Sequence, residues 1–343
     1  MKAVILRKPL DLMLGDMPDP GAPGPGQVRV RVGAVGICGS DIHYYEHGRI
    51  GDFVVRAPLV LGHETAGTVE ATSAGVTHLK AGDRVAMEPG VPCGGCRACR
   101  TGRYNLCPDV KFWATPPVHG SLTEYVVHPA SFTYRLPDSM SLAEGALMEP
   151  LAVGVYSCNR GRVRPGDVVV VNGAGTIGCV TVLVALAYGA SQVIVADVVP
   201  ERLARVKSLG ASVVIDARKE SLADAVLAAT HGRGADAGVE CSGHPEGVRT
   251  LVRSAAPAGR VVLVGMGQQP QPVDIVAAQV KEVDLLPVFR YANVYQSAID
   301  LVASGRVKVS PLVTDRFKFA DAVKAFEYAR QPRPDTCKVM IEV

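Results

Sequence analysis

Val168-Val-Val-Val-Asn-Gly-Ala-Gly-Thr-Ile-Gly178 sets four consecutive valines against a G-x-G-x-x-G turn. An unbroken β-branched run fits a strand buried on both faces, which is the setting of a parallel sheet covered by helices. The glycines should then open a helix reaching about residue 188. Asp197 closes the next apolar run, residues 192–197, roughly 20 residues on, which is the spacing of a dinucleotide-binding unit. The glycines let backbone and pyrophosphate approach, with the phosphates facing the partly positive helix N-terminus. A carboxylate at 197 can accept from both adenosine ribose hydroxyls and would repel the extra phosphate of NADP, so the cofactor expected is NAD.

Strand and helix keep alternating around this stretch. A helix is expected over 200–209, with Pro200 in its first turn and Gly210 at its end, and strands over 212–216, 237–241 and 260–265. Such alternation predicts an α/β, doubly wound Rossmann sheet. The first third of the chain reads differently, as short alternating runs such as Gln27-Val-Arg-Val-Arg-Val32 between Gly and Pro, an irregular and mainly β region, and the texture changes from about Arg164. Near the C-terminus a helix over 320–329 and a closing strand over 338–343 are expected.

The 343 residues allow about two domains. A net charge of +3 with dispersed Lys and Arg makes nucleic acid and membrane surfaces poor partners. The apolar run of residues 3–6 is too short for a signal peptide core, so a soluble, cytoplasmic protein is expected. In a reducing compartment nine cysteines read as ligands, reactive groups or core residues rather than disulfides.

Cys93, Cys96, Cys99 and Cys107 are spaced to close a tetrahedral thiolate shell around Zn²⁺, a site that staples a loop and leaves no open position. Outside that lobe, Cys38, His43, His63 and Glu64 offer a thiol, imidazoles and a carboxylate. A catalytic zinc keeps three protein ligands and one open position.

The chain resembles the zinc-dependent medium-chain dehydrogenases, and among them the polyol (sorbitol and xylitol) dehydrogenases, on residues 36–44, Gly48-Arg-Ile-Gly51, Leu61-Gly-His-Glu64, the four-cysteine lobe, Ala114-Thr-Pro-Pro117, Leu147-Met-Glu-Pro150, residues 173–178 and Val288-Phe-Arg-Tyr291. The resemblance implies a GroES-like catalytic domain, residues 1–151 with 288–343, an NAD domain, residues 152–287, and the active site in the cleft between them. It implies Cys38, His63 and Glu64 around a catalytic zinc, a second, structural zinc in the four-cysteine lobe, Glu149 beside the catalytic ion, and a homotetramer. Adjacent residues of a regular strand face opposite ways. Either Gly62 permits an irregular turn or Glu149 exchanges with Glu64 as third ligand; Glu64 is preferred.

Ser40 could orient the thiolate or carry the substrate proton, and His43 is structural or a relay member. The resemblance places Tyr44, Glu149, Arg290 and Tyr291 against a small-molecule polyol, which needs polar contacts beyond the metal. Phe112 and Trp113 either wall the cleft or pack the core. Along the cofactor the expected residues are Gly173, Gly175, Ile177, Gly178 and Asp197, then Val264, Gly265, Met266, Val288, Phe289 and Arg290. Arg202 lies on the adenine or in solvent. The implied reaction is oxidation of xylitol or sorbitol at C2 to a 2-ketose. Competing readings are a threonine or butanediol dehydrogenase and a non-catalytic NAD-binding protein.

Overall fold

The computed structural model describes residues 1–267, 269–331 and 333–343, and these form two compact units. The first comprises Met1–Glu149, Tyr295–Ser304 and Val309–Val343; the second comprises Pro150–Val294 and Gly305–Lys308.

The first unit is built on a seven-stranded sheet in which Gln27–Gly36 pairs antiparallel with Glu64–Thr72, Tyr125–Pro129 and the C-terminal strand Lys338–Glu342. The Val-Arg alternation does what a period of two requires: Val28, Val30 and Val32 enter the core while the arginines between them face outward. Register then decides the function. Gly36 lies opposite both Glu64 and Met340, so the end of one strand, the start of a second and the middle of a third meet at one place. The helix Gly39–His47 starts there, a helix the sequence reading left undivided from its β surroundings.

The second unit is a six-stranded parallel sheet in the spatial order Val213–Asp216, Gln192–Asp197, Val168–Asn172, Ala235–Glu240, Ala255–Leu263, Asp284–Pro287. The quoted valines are its centre. Val169, Val170 and Val171 are fully buried, each stabilising the fold by roughly 1.5–3 kcal/mol. The following helix, Thr176–Ala187, is apolar all round because residues 178–185 are buried. This is the doubly wound sheet the alternation predicted. All strands run the same way, so the loops that follow them share one edge, where dinucleotides bind in such sheets. The second unit takes in residues 288–291, which the sequence reading assigned to the catalytic domain, because Val288 continues the strand before it through its bond to Leu263 O.

Candidate functional site

Cys38 caps the helix Gly39–His47. Its backbone N–H donates to Asp41 Oδ2 (3.0 Å), while Oδ1 of the same carboxylate accepts from Gly62 N (3.0 Å) and stands 3.6 Å from His63 Nδ1. Asp41 is completely buried. Burial works against its charge, but His63 and the two backbone donors outweigh it and hold the carboxyl below its ordinary range. One side chain therefore fixes the thiol-bearing turn, the turn before His63 and the His63 ring. A carboxylate on one ring nitrogen leaves the other to a metal.

Gly62 has φ +88, and a Cβ there would come within 2.9 Å of Leu122 and Val35. This left-handed turn keeps His63 out of the strand that begins at Glu64. The two adjacent side chains are therefore not bound by strand alternation. Cys38, His63 and Glu64 bring one donor atom each within 4.8 Å of one another. Gly36 is obligatory beneath them, because a Cβ would lie 2.1 Å from Glu64 Oε2.

Glu64 is 1% exposed. Its Oε1 accepts from Lys338 Nζ (2.6 Å), and that ammonium also donates to Ile37 O (3.0 Å). Burial disfavours the Lys338 charge, but Glu64 and Cys38 outweigh burial and push its pKa up to about 12. Oε2 is buried with no hydrogen-bond partner. An orphaned carboxylate oxygen beside a thiol and an oriented imidazole is costly unless a cation completes the set. The donor set fits zinc.

Ser40 is half-buried at the start of the same helix, and the His43 ring lies 4.7 Å from His47. Tyr44 and Glu149 are buried in the first unit; Arg290 and buried Tyr291 belong to the second. The Phe112 ring is 5.7 Å from that of His63, whereas Trp113 packs at 4.5 Å on His128, so the two aromatics take different parts. The sequence reading missed Asp41 and Lys338. Asp41 had a local signal, an acid three residues beyond a helix cap. Lys338 is 274 residues from its partner and had none.

In the four-cysteine lobe the sulfurs lie within 4.8 Å of one another, with Cys96 to Cys99 at 3.4 Å and Cys93 to Cys99 at 4.0 Å. Zn–S bonds of about 2.3 Å imply tetrahedral edges of about 3.8 Å. These separations bracket that value and are far wider than the roughly 2.05 Å of a disulfide.

In the second unit, Gly173 has φ +100, and a Cβ on Gly178 would stand 1.9 Å from Gly173 O. Space is open above Gly175, which caps the helix without a side-chain bond. That is a cradle for a pyrophosphate. Asp197 accepts from Ala174 N (2.7 Å), Val198 N (2.7 Å) and Val199 N (2.9 Å). A carboxylate has about four lone-pair directions, so these three bonds leave about one open. Ile177 lies in the first turn of the helix. Val264, Gly265 and Met266 follow the strand Ala255–Leu263, and Val288, Phe289 and Arg290 follow Asp284–Pro287, all on the edge carrying the glycine loop. The Arg290 guanidinium sits 4.8 Å over the Phe289 ring. Arg202 is half-buried and its Nε has no hydrogen-bond partner.

Comparison with known proteins gives the family. An alcohol dehydrogenase GroES-like domain matches residues 24–138 and a zinc-binding dehydrogenase domain matches residues 176–304. The chain is 47% identical to a D-xylulose reductase of Morganella morganii over 97% of this chain and 98% of that one. It is 46% identical to a sorbitol dehydrogenase of Gallus gallus over 99% and 96% of the two chains. Among solved structures, an Escherichia coli oxidoreductase of unknown specificity superposes with a TM-score of 0.93 at 39% identity, covering 99% of this chain and 98% of that one. The chain therefore belongs to the zinc-dependent medium-chain dehydrogenases, in the branch of the sorbitol dehydrogenases and D-xylulose reductases.

Proposed function

We propose that this protein oxidises a polyol, xylitol or sorbitol, at C2 to the 2-ketose with reduction of NAD, reversibly. The observation that carries the reading is the set of half-buried Cys38 with buried His63 and Glu64, one carboxylate oxygen of which is unpartnered. Cys38, His63 and Glu64 hold the catalytic zinc, with Glu64 rather than Glu149 as third ligand, and Cys93, Cys96, Cys99 and Cys107 hold a second, structural ion. Zinc in the first site supplies a Lewis acid that lowers the pKa of the alcohol, and NAD supplies the hydride acceptor.

The rest falls to the chain. Asp41 keeps the His63 ring turned so that one nitrogen faces the donor set. Lys338 occupies one oxygen of Glu64 and so leaves that side chain a single oxygen to offer. Glu149 and Ser40 take up the proton that the hydroxyl releases as its carbon loses hydride, and pass it to water. Tyr44, Arg290 and Tyr291 hold the remaining hydroxyls. The glycine loop and Asp197 hold the dinucleotide, with charge favouring NAD over NADP. The catalytic domain is the first unit and the NAD domain the second. The reading extends to a cytoplasmic homotetramer; among the described residues no helix is long and apolar enough to cross a membrane.

The similarity to a D-xylulose reductase and a sorbitol dehydrogenase supports the substrate class. The test is NADH formation from NAD with xylitol, sorbitol, ribitol and mannitol against threonine, butanediol and ethanol, with and without a zinc chelator. Chelator-sensitive turnover confined to polyols is expected. Preference for threonine or butanediol would overturn the substrate, and turnover indifferent to metal removal would overturn the mechanism.

A further inference from the structure

Glu240 ends the central strand Ala235–Glu240 and is completely buried. No step above uses it. Its Oε1 accepts from Ser242 N (2.8 Å), the Ser242 hydroxyl and Gly243 N (3.2 Å), with Asn172 Nδ2 at 3.5 Å; its Oε2 accepts from Gly243 N (3.0 Å). Its backbone carbonyl accepts from Val264 N (3.0 Å) and Gly265 N (2.9 Å). One residue thus touches three loops on the carboxyl edge of the sheet: the loop entering the glycine turn, its own, and the loop at Val264.

The packing around it is too close for side chains. A Cβ on Gly265 would lie 2.4 Å from Gly243 N and 2.6 Å from Glu240 Oε2, and one on Gly247 would lie 2.8 Å from Oε1. A Cβ on Gly173, the first glycine of the turn, would meet Ser242 N at 2.9 Å. The loop that Glu240 ties down is therefore the floor against which the glycine turn rests. Removing a carboxylate from water has a large cost, and here it is offset by four donors, of which Ser242 N and Gly243 N are loop backbone.

We propose that Glu240 is a positioning residue for the dinucleotide, holding the three loops in the spacing the cofactor requires without touching it. The inference rests on the NAD-binding reading. Glu240→Ala removes every side-chain acceptor, whereas Glu240→Gln keeps an oxygen at the Oε1 position, where most donors converge. NADH affinity is read from the cofactor's own fluorescence on the zinc-loaded protein, together with KM for NAD, kcat and zinc content.

Expected are at least tenfold weaker NADH binding and a matching rise in KM for NAD in Glu240→Ala, with kcat at saturating NAD within about threefold, unchanged zinc content, and recovery to within threefold of wild-type affinity in Glu240→Gln. Should Glu240→Ala fail to fold, Gly247→Ala decides, because its Cβ would stand 2.8 Å from Glu240 Oε1 and push the carboxylate off its donors without altering a residue assigned to the cofactor, and it should weaken NADH binding tenfold. Affinity within twofold of wild type in whichever variant decides overturns the inference, as does failure of Gln to restore what Ala loses. A wild-type protein that binds no NADH overturns the dinucleotide reading itself, a distinguishable result.

Discussion

Replacing Lys338 by Met would leave Glu64 as a buried carboxylate facing no cation and would also strip Ile37 O of its donor. Unit charges 2.6 Å apart attract by about 6 kcal/mol at an effective dielectric near 20. The methionine recovers the desolvation cost of the ammonium, so the net loss should approach the ~3–5 kcal/mol typical of breaking a buried pair from one side. That applies to the metal-free protein. In the zinc-loaded protein a divalent ion held by the same carboxylate shares its charge, and the loss should shrink to about half or less. Thermal unfolding of wild type and Lys338→Met, each with and without chelator, measures both terms. For a domain of this size a loss of about 4 kcal/mol corresponds to a fall on the order of 10 °C in Tm. The reasoning fails if the variant loses the same stability in both states, or less than about 1 kcal/mol in the metal-free one.

Asp41→Asn should lower zinc affinity ten- to a hundredfold, the range for a partner that orients a ligating histidine, in competition against a chromophoric chelator; unchanged affinity would remove Asp41 from its assigned role. Glu88 is buried beneath Tyr104 and Tyr134, whose hydroxyls donate to it at 2.7 and 2.9 Å. Burial pushes its pKa up to about 7 from 4.5, the tyrosine bonds only partly opposing this. The folded state thus holds the proton more tightly than the unfolded one. Its contribution is fully present below about pH 4.5 and lost as pH rises through 7, about 3 kcal/mol in all. Glu88→Gln, neutral throughout, should gain on wild type by about that amount between about pH 4 and pH 8 in denaturant titrations; parallel stability curves for the two proteins would contradict it.

How far the residues could be read in advance depends on distance along the chain. The parallel sheet was legible because a run of valines and a glycine turn state their structure within eleven residues, and Gln192–Asp197 fell where its alternation placed it. The helices Gly39–His47 and Met148–Arg160 were not read, since each lies among residues whose local texture is that of loops and short strands. The closing strand was expected, but not its place between Gln27–Gly36 and Val313–Lys318. The Cys93 to Cys107 spacing was likewise enough to suggest a closed metal lobe, whose four sulfurs stand in one short segment.

The sequence by itself determined what periodicity and spacing can encode: a dinucleotide sheet, a cysteine lobe, and a thiol, an imidazole and a carboxylate available for a metal. Only the tertiary structure decided how those three meet. Antiparallel register sets Gly36 opposite Glu64 and Met340, and a left-handed glycine at 62 turns His63 out of the strand. A lysine from the last strand then holds Glu64, and an aspartate from the first helix faces His63. The strand pairing of Gly36 with Met340 and the burial of Lys338 against Glu64 join residues far apart along the chain, and no local pattern carries that information.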